Sequence, residues 1–292
     1  SAQIHAIMHD YTDLIEPLSL DEAFLDVTEN KRGITMAVDI ARDIKRRIYE
    51  TTSLTASAGV SYCKFLAKIA SDWRKPDGLT VVHPDKAQAF IGQLHVDRIW
   101  GVGRKTADHM HRMGIFTGAD LRRCSQTHLI QEFGKMGRVF YDFARGIDNR
   151  PVVTDWERKS VSCEQTFEKD IFSKSAVTIE LYHTVQEVLR RIEKSGFEGR
   201  TLTLKVKFND FNQITRSLTV GEVLRTKQRI LPLAKQLMGE VDYSREHPIR
   251  LLGLGVSHSA ADAHAATEMP TDTSSSAGLW TELELQFEPW LD

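Results

Sequence analysis

Hydrophobic and polar positions follow two rhythms along this chain, and the changes of rhythm mark its parts. Over 13–27, apolar Leu14, Ile15, Leu18 and Leu20 precede Asp21-Glu22, and Phe24, Leu25 and Val27 follow, which predicts strand, tight turn, strand. Ala37, Ile40, Ala41, Ile44 and Ile48 then recur at helical spacing. A short strand of small and β-branched residues is expected over 54–60, and a helix over 63–74 with Phe65, Ile69 and Trp73 on one face. The first residues of the chain read as the tail of a helix. From 85 to 146 the pattern is helical with glycine breaks, a separate small all-α unit, and 147–159 lacks periodicity and reads as a linker.

Strands return over 160–167, 200–208, 213–220 and 249–256, with amphipathic helices over 175–194 and 221–238 between them, giving two β-α-β units. Alternation in 200–208 puts Leu202, Leu204, Val206 and Phe208 on one face and Thr201, Thr203, Lys205 and Lys207 on the other, a polar and basic face. After Ser257 the chain turns to Ala, Ser, Thr, Asp and His, too poor in apolar residues to fold. The apolar residues of 279–287 and Trp290 then read as a docking peptide on a flexible tether. The expected fold class is α+β with several domains, in successive parts 1–82, 83–148, 149–159, 160–257 and 258–292.

Composition refines this picture. A chain of 292 residues can bury two or three modest cores. No apolar run approaches the roughly 20 residues of a membrane span, so a cytoplasmic protein with no membrane partner is expected. Cys63, Cys124 and Cys163 are widely separated and form no C-x-x-C pair, which points to reduced thiols and away from zinc or a disulfide framework. The chain opens with Ser1, which reads as a cut. Its net charge is −2, but no Lys or Arg follows Arg250 and seven acids lie in the last thirty-one residues, leaving 38 basic against 33 acidic residues elsewhere. That mild positive body permits nucleic-acid binding without requiring it.

Adjacent Asp21 and Glu22 at a hairpin turn bring together two hard oxygen donors suited to Mg²⁺, an ion held by few carboxylates and completed by substrate phosphates. A solvated turn is the bland alternative, but apolar strand residues on both sides place these acids at the edge of a core. On the following helix Lys64 and Lys68 lie four residues apart, with Arg74 and Lys75 at its end, cations that would hold a triphosphate. Gly101-Val102-Gly103 opens a helix carrying Lys105 and exposes backbone N–H groups of the kind that grip a phosphate. A second break, Gly134-Lys135-Met136-Gly137-Arg138, is expected to do likewise.

Ser19-Leu20-Asp21-Glu22-Ala23-Phe24-Leu25-Asp26, Ala56-Ser57-Ala58-Gly59-Val60, 64–72 and Lys75-Pro76-Asp77-Gly78 together resemble the Y-family translesion DNA polymerases, nearest the bacterial DNA polymerase IV group. The Gly101-Val102-Gly103 turn matches the thumb of that family, and Lys159-Ser160-Val161 with Glu164-Gln165-Thr166-Phe167 resembles the entry to its little finger. The resemblance spans residues 1 to about 257. It implies a partial palm, a helix-hairpin-helix thumb and a β-α-β little finger performing low-fidelity, template-directed DNA synthesis on a primer-template with deoxynucleoside triphosphates. Asp21 would bridge two Mg²⁺ ions, Glu22 would bind the ion that activates the primer hydroxyl, and Lys75 would touch the triphosphate. Ser19 and Lys68 are expected to support the site or simply to pack. Duplex contacts would come from Gly101, Val102, Gly103, Lys105, Lys205, Lys207 and Arg216. Glu282-Leu283-Glu284-Leu285-Gln286-Phe287 resembles the peptide by which bacterial polymerases bind the sliding clamp, with Leu283, Leu285 and Phe287 as anchors and Glu282 where Gln is usual.

The family's first metal-binding Asp and its fingers would lie upstream of Ser1. The 292 residues alone, expected to be monomeric, should therefore not polymerise. The rival reading is a non-catalytic DNA-binding and clamp-docking module. A nucleotidyl cyclase, which shares the hairpin, is disfavoured by the helical and basic β units.

Overall fold

The computed structural model describes residues 1–155 and 157–258. It is a mixed α/β chain in two compact units, the first running from Ser1 to Trp156 and the second starting at Glu157.

In the first unit, α1 (Ala2–His9) leads into a short antiparallel hairpin, β1 (Ile15–Pro17) and β2 (Ala23–Leu25), with Glu16 opposite Phe24. The amphipathic α2 (Ala37–Thr52) buries Ile40, Ile44 and Ile48 against Ile7 and Tyr11. Then β3 (Ala58–Ser61), α3 (Lys64–Trp73) and β4 (Leu79–Val82) form a tight β-α-β unit with parallel strands. Sequence periodicity gave no sign of β4, because four residues are too few to establish a rhythm. Gly59 is what lets β3 lie on α3: a Cβ there would sit 2.0 Å from the Ala67 carbonyl oxygen and 2.4 Å from the Ser71 nitrogen.

Helices α4 (Pro84–Gln93), α5 (Arg104–Arg112), α6 (Gly118–Arg123), α7 (Gln126–Phe133) and α8 (Lys135–Phe143) follow. Their apolar faces share one core with α3, where Phe65 stacks on Phe143 at 4.1 Å between ring centroids. Apolar continuity across residue 83 thus joins helices that the pattern alone set apart.

The second unit is a four-stranded sheet of order β5-β8-β6-β7, built from β5 (Ser160–Ile171), β6 (Thr201–Phe208), β7 (Gln213–Thr219) and β8 (Ile249–Ser257). All neighbours are antiparallel, so each of the two β-α-β crossovers skips one strand. Helices α9 (Lys174–Ser195) and α10 (Lys227–Gly239) pack on one face, over Leu202, Leu204, Val206, Leu252 and Leu254. The α10 helix starts six residues later than periodicity suggested. Cys63 and Cys163 are buried, Cys124 is half-buried, and all three are free thiols. No helix among the described residues is long and apolar enough to cross a membrane.

Candidate active site and nucleic-acid interface

The hairpin between β1 and β2 is closed by Leu18 N–H and Ser19 N–H, which both donate to the Glu22 carbonyl at 2.8 and 3.2 Å. Ser19 also donates its hydroxyl to Asp21 Oδ1 at 2.6 Å, so the exposed Asp21 carboxylate is oriented by its own turn. Glu22 points back to α3, where Lys68 Nζ reaches Glu22 Oε1 at 2.7 Å and Asp72 Oδ2 at 3.3 Å. Burial pulls the Lys68 ammonium down, but the Glu22 hydrogen bond and the Asp72 charge outweigh it, and the net shift is upward. Asp72 also holds Lys75 at 2.5 Å. Burial raises Asp72, yet the Lys75 bond and the Lys68 charge leave its carboxyl below the usual range.

These groups border one cleft of about 700 Å³, lined by Asp21, Glu22, Lys45, Lys68, Lys75 and Asp77 above an apolar floor that includes Leu25, Ile40 and Ile44. The donor chemistry at its rim fits a hard divalent cation, with two adjacent carboxylates of which Asp21 is open to solvent. Among the described residues no set of three or more His, Cys, Asp or Glu side chains converges on one point.

Lys64 does not join this group. It is buried and spent on Glu16 of β1, at 2.6 Å, and on the Pro151 carbonyl, at 2.9 Å. Helical spacing put Lys64 and Lys68 on one face correctly; what it could not show was the chain passing over that face. Glu16 Oε2 accepts the Val153 N–H as well, at 2.8 Å. Asp148 accepts from Phe65 N–H at 2.9 Å, and Arg150 forks onto the Asp148 carboxylate at 2.6 and 2.8 Å. Burial raises Asp148, but Arg150 and the two backbone donors bring its carboxyl below the ordinary value. Residues 148–153 thus form a strap bonded to β1 and α3, a feature hidden in a stretch that read as linker.

Arg150 lies 4.5 Å over the Trp100 ring, and Trp100 in turn meets Phe24 of β2 at 5.6 Å. Directly after Trp100, Gly101 takes φ +87°, a left-handed conformation that favours glycine, and Gly103 caps α5 with no side chain satisfying the helix N-terminus. Arg104 and Lys105 open that helix. An uncapped helix start beside two exposed cations is an arrangement that can take an anion. In the second break Gly134 likewise caps α8 with no side-chain hydrogen bond and Lys135 opens the helix, whereas its second glycine packs. Gly137 lies inside α8, where a Cβ would meet the Leu129 carbonyl oxygen at 1.9 Å, so it serves helix–helix approach.

In the second unit, the face away from α9 and α10 carries Thr201, Thr203, Lys205 and Lys207 of β6 beside Thr215, Ser217 and Thr219 of β7. Two hydroxyl pairs cross the strands, Thr201–Thr219 at 2.9 Å and Thr203–Ser217 at 2.8 Å. Lys205 is paired with Glu164 at 2.6 Å, and Lys207 lies 5.1 Å from the Phe211 ring. Arg216 is on the other face: it stands opposite Leu204, shares the phase of Ile214 and Leu218, and approaches Glu240 at 3.9 Å. A strand period of two excludes Arg216 from the face of Lys205 and Lys207. Leu283, Leu285 and Phe287 lie outside the described residues.

Comparison with known proteins agrees along the chain. The impB/mucB/samB family matches residues 1–72, its C-terminal domain matches 158–269, and the thumb domain of DNA polymerase-iota matches 97–148. DNA polymerase IV of Bacteroides fragilis is 56% identical over 292 residues, covering 99% of this chain and 77% of that protein. DNA polymerase IV of Akkermansia muciniphila is 53% identical over 288 residues, with the same coverage of each. A solved Y-family DNA polymerase chimera superposes with a TM-score of 0.79 at 25% identity, over 88% of this chain and 74% of its own. With these families matched in one order along the chain, and relatives more than half identical over nearly all of it, the chain belongs to the Y-family DNA polymerases, in the DNA polymerase IV group.

Proposed function

We propose that residues 1–82 are the carboxylate-bearing part of a polymerase palm, 83–148 its thumb and 160–257 its little finger, and that they serve translesion DNA synthesis in the cytoplasm. The observation that carries this reading is the convergence of Asp21, Glu22, Lys68 and Lys75 on one cleft. Asp21 and Glu22 would hold the Mg²⁺ ions, which when bound offset charge on the attacking and leaving oxygens of nucleotidyl transfer. Lys68 holds Glu22 in place, and Ser19 sets the rotamer of Asp21. Lys75 would leave Asp72 for the triphosphate of an incoming deoxynucleotide.

The α5 N-terminus with Lys105 and the Lys205–Lys207 face would hold the primer-template through its phosphates, without reading sequence. Residues 282–287 would tether the enzyme to the sliding clamp, so that a weak local contact raises the effective concentration of polymerase at the primer end.

Three measurements test these parts. Primer-template binding by the chain should weaken steeply with salt, and salt-independent or absent binding would remove the DNA reading. Incubated with primer-template, Mg²⁺ and deoxynucleotides, the 292 residues should give no extension, since among the described residues only the carboxylates of Asp21 and Glu22 meet at the turn; extension that Asp21→Ala abolishes would overturn that part. A peptide of residues 277–292 should bind the clamp through Leu285 and Phe287, and binding indifferent to their replacement by alanine would discard the tether.

A further inference from the structure

Lys45 is a third lysine on the cleft, beside Lys68 and Lys75. Lys45 projects from α2 with its side chain only 15% exposed, and its ammonium donates to three acceptors of the 75–78 turn. These are the Asp77 carbonyl at 2.5 Å, the Asp77 carboxylate at 2.8 Å and the Gly78 carbonyl at 3.2 Å. An ammonium has three N–H donors, so none is left for a phosphate. Asp77 itself is held at φ +52°, uncommon for a residue with a Cβ.

The far side of the turn is fastened to β3. Gly78 N–H donates to Ser57 Oγ at 3.2 Å, and Ala58 N–H donates to the Gly78 carbonyl at 2.9 Å. The turn therefore hangs between β3 and α2, and Lys75 stands at its start, on the rim that Asp21 and Glu22 also border.

We infer that Lys45 is a positioning residue for the triphosphate: by gathering three acceptors of the 75–78 turn it fixes where Lys75 presents its ammonium to the nucleotide. The inference rests on the reading of Lys75 as a triphosphate contact. It separates two lysines on one cleft by role, since Lys75 is tied to a single exposed carboxylate that a triphosphate can displace, whereas Lys45 is saturated by the protein. Arginine cannot replace it, because a planar fork does not match three acceptors that converge on a point.

The experiment is an NMR titration of the ¹⁵N-labelled chain with Mg²⁺–dATP, followed at the amides of Lys75, Asp77 and Gly78, with Lys45→Met, Lys75→Ala and the double variant. Lys45→Met should weaken binding about fivefold or more, and so should Lys75→Ala, while the double variant should be no weaker than Lys75→Ala, because residues acting through one contact are not additive. A Lys45→Met titration indistinguishable from wild type, or effects that multiply in the double variant, would overturn the inference while leaving Lys75 in place. A wild-type chain whose 75–78 amides ignore Mg²⁺–dATP would take down both the triphosphate reading and the inference. Should Lys45→Met not fold, Asp77→Asn removes the charge of one acceptor and tolerates the left-handed backbone; a weakening of about twofold supports the inference, and none overturns it.

Discussion

Replacing Lys64 by methionine breaks the buried ion pair with Glu16 from one side. Lys64 and Glu16 are 9% and 5% exposed at the side chain, and Glu16 Oε2 takes both the Lys64 ammonium and the Val153 N–H. Without the cation, Glu16 is a buried carboxylate with one backbone donor, and the Pro151 carbonyl loses its partner. Breaking a buried pair from one side costs about 3–5 kcal/mol. Exchanging both members for apolar side chains of similar size is often close to neutral, so Lys64→Met with Glu16→Leu should recover most of that. The double variant also forfeits the bonds to the Val153 N–H and the Pro151 carbonyl, both on exposed residues and each worth about 1 kcal/mol net, which predicts a residual loss of at most about 2 kcal/mol. Urea unfolding of wild type, both single variants and the double variant gives the coupling energy. Because the two units can unfold separately, hydrogen exchange of peptides covering 148–153 should be followed in parallel. A Lys64→Met loss below about 1 kcal/mol with no coupling to Glu16 would show that the pair behaves as a solvated surface contact, and the strap argument would fail.

Asp148 makes the strap sensitive to acid. Its folded carboxyl titrates below the ordinary value, so its stabilisation is fully present above about pH 4 and is lost as pH falls through the folded value. Asp148→Asn should therefore be less stable than wild type at neutral pH and show a shallower loss below about pH 4, measured by urea midpoints across pH. Lys205→Ala should lower the slope of log affinity for duplex DNA against log salt by about one, while Arg216→Ala, on the helix-covered face, should leave the slope unchanged; equal effects would refute the face assignment. Gly59→Ala should cost about 3 kcal/mol or more in unfolding, because both atoms its methyl would strike, Ala67 O and Ser71 N, are backbone; a loss below about 1 kcal/mol would mean that β3 and α3 separate easily.

What could be read in the chain depended on the distance over which each feature is decided. The hairpin with Asp21 and Glu22 is settled within fifteen residues by apolar flanks and turn chemistry, and the structure keeps it. Alternation also assigned the two faces of β6 correctly. Applied to β7, the same alternation groups Arg216 with Ile214 and Leu218, as the structure does, and apart from the face of Lys205 and Lys207. The order β5-β8-β6-β7 was out of reach, since periodicity gives the faces of strands and not their neighbours.

Lys64, Lys68 and Lys45 show the same limit inside the site. All three are lysines near one cleft, and spacing on a helix makes Lys64 and Lys68 equivalent. The partner separates them: Glu16 and Pro151 for Lys64, Glu22 for Lys68, the Asp77–Gly78 carbonyls for Lys45, each reached across more than thirty residues. A cation whose donors are all met by the protein is structural or positioning, whereas one held by a single exposed carboxylate can exchange it for a substrate phosphate. By that criterion Lys75, at 52% exposure and paired with Asp72 at the turn, is the lysine that would exchange its partner for a nucleotide in the proposed function. Lys45 and Lys68 hold the turn and the carboxylate between which that nucleotide would lie.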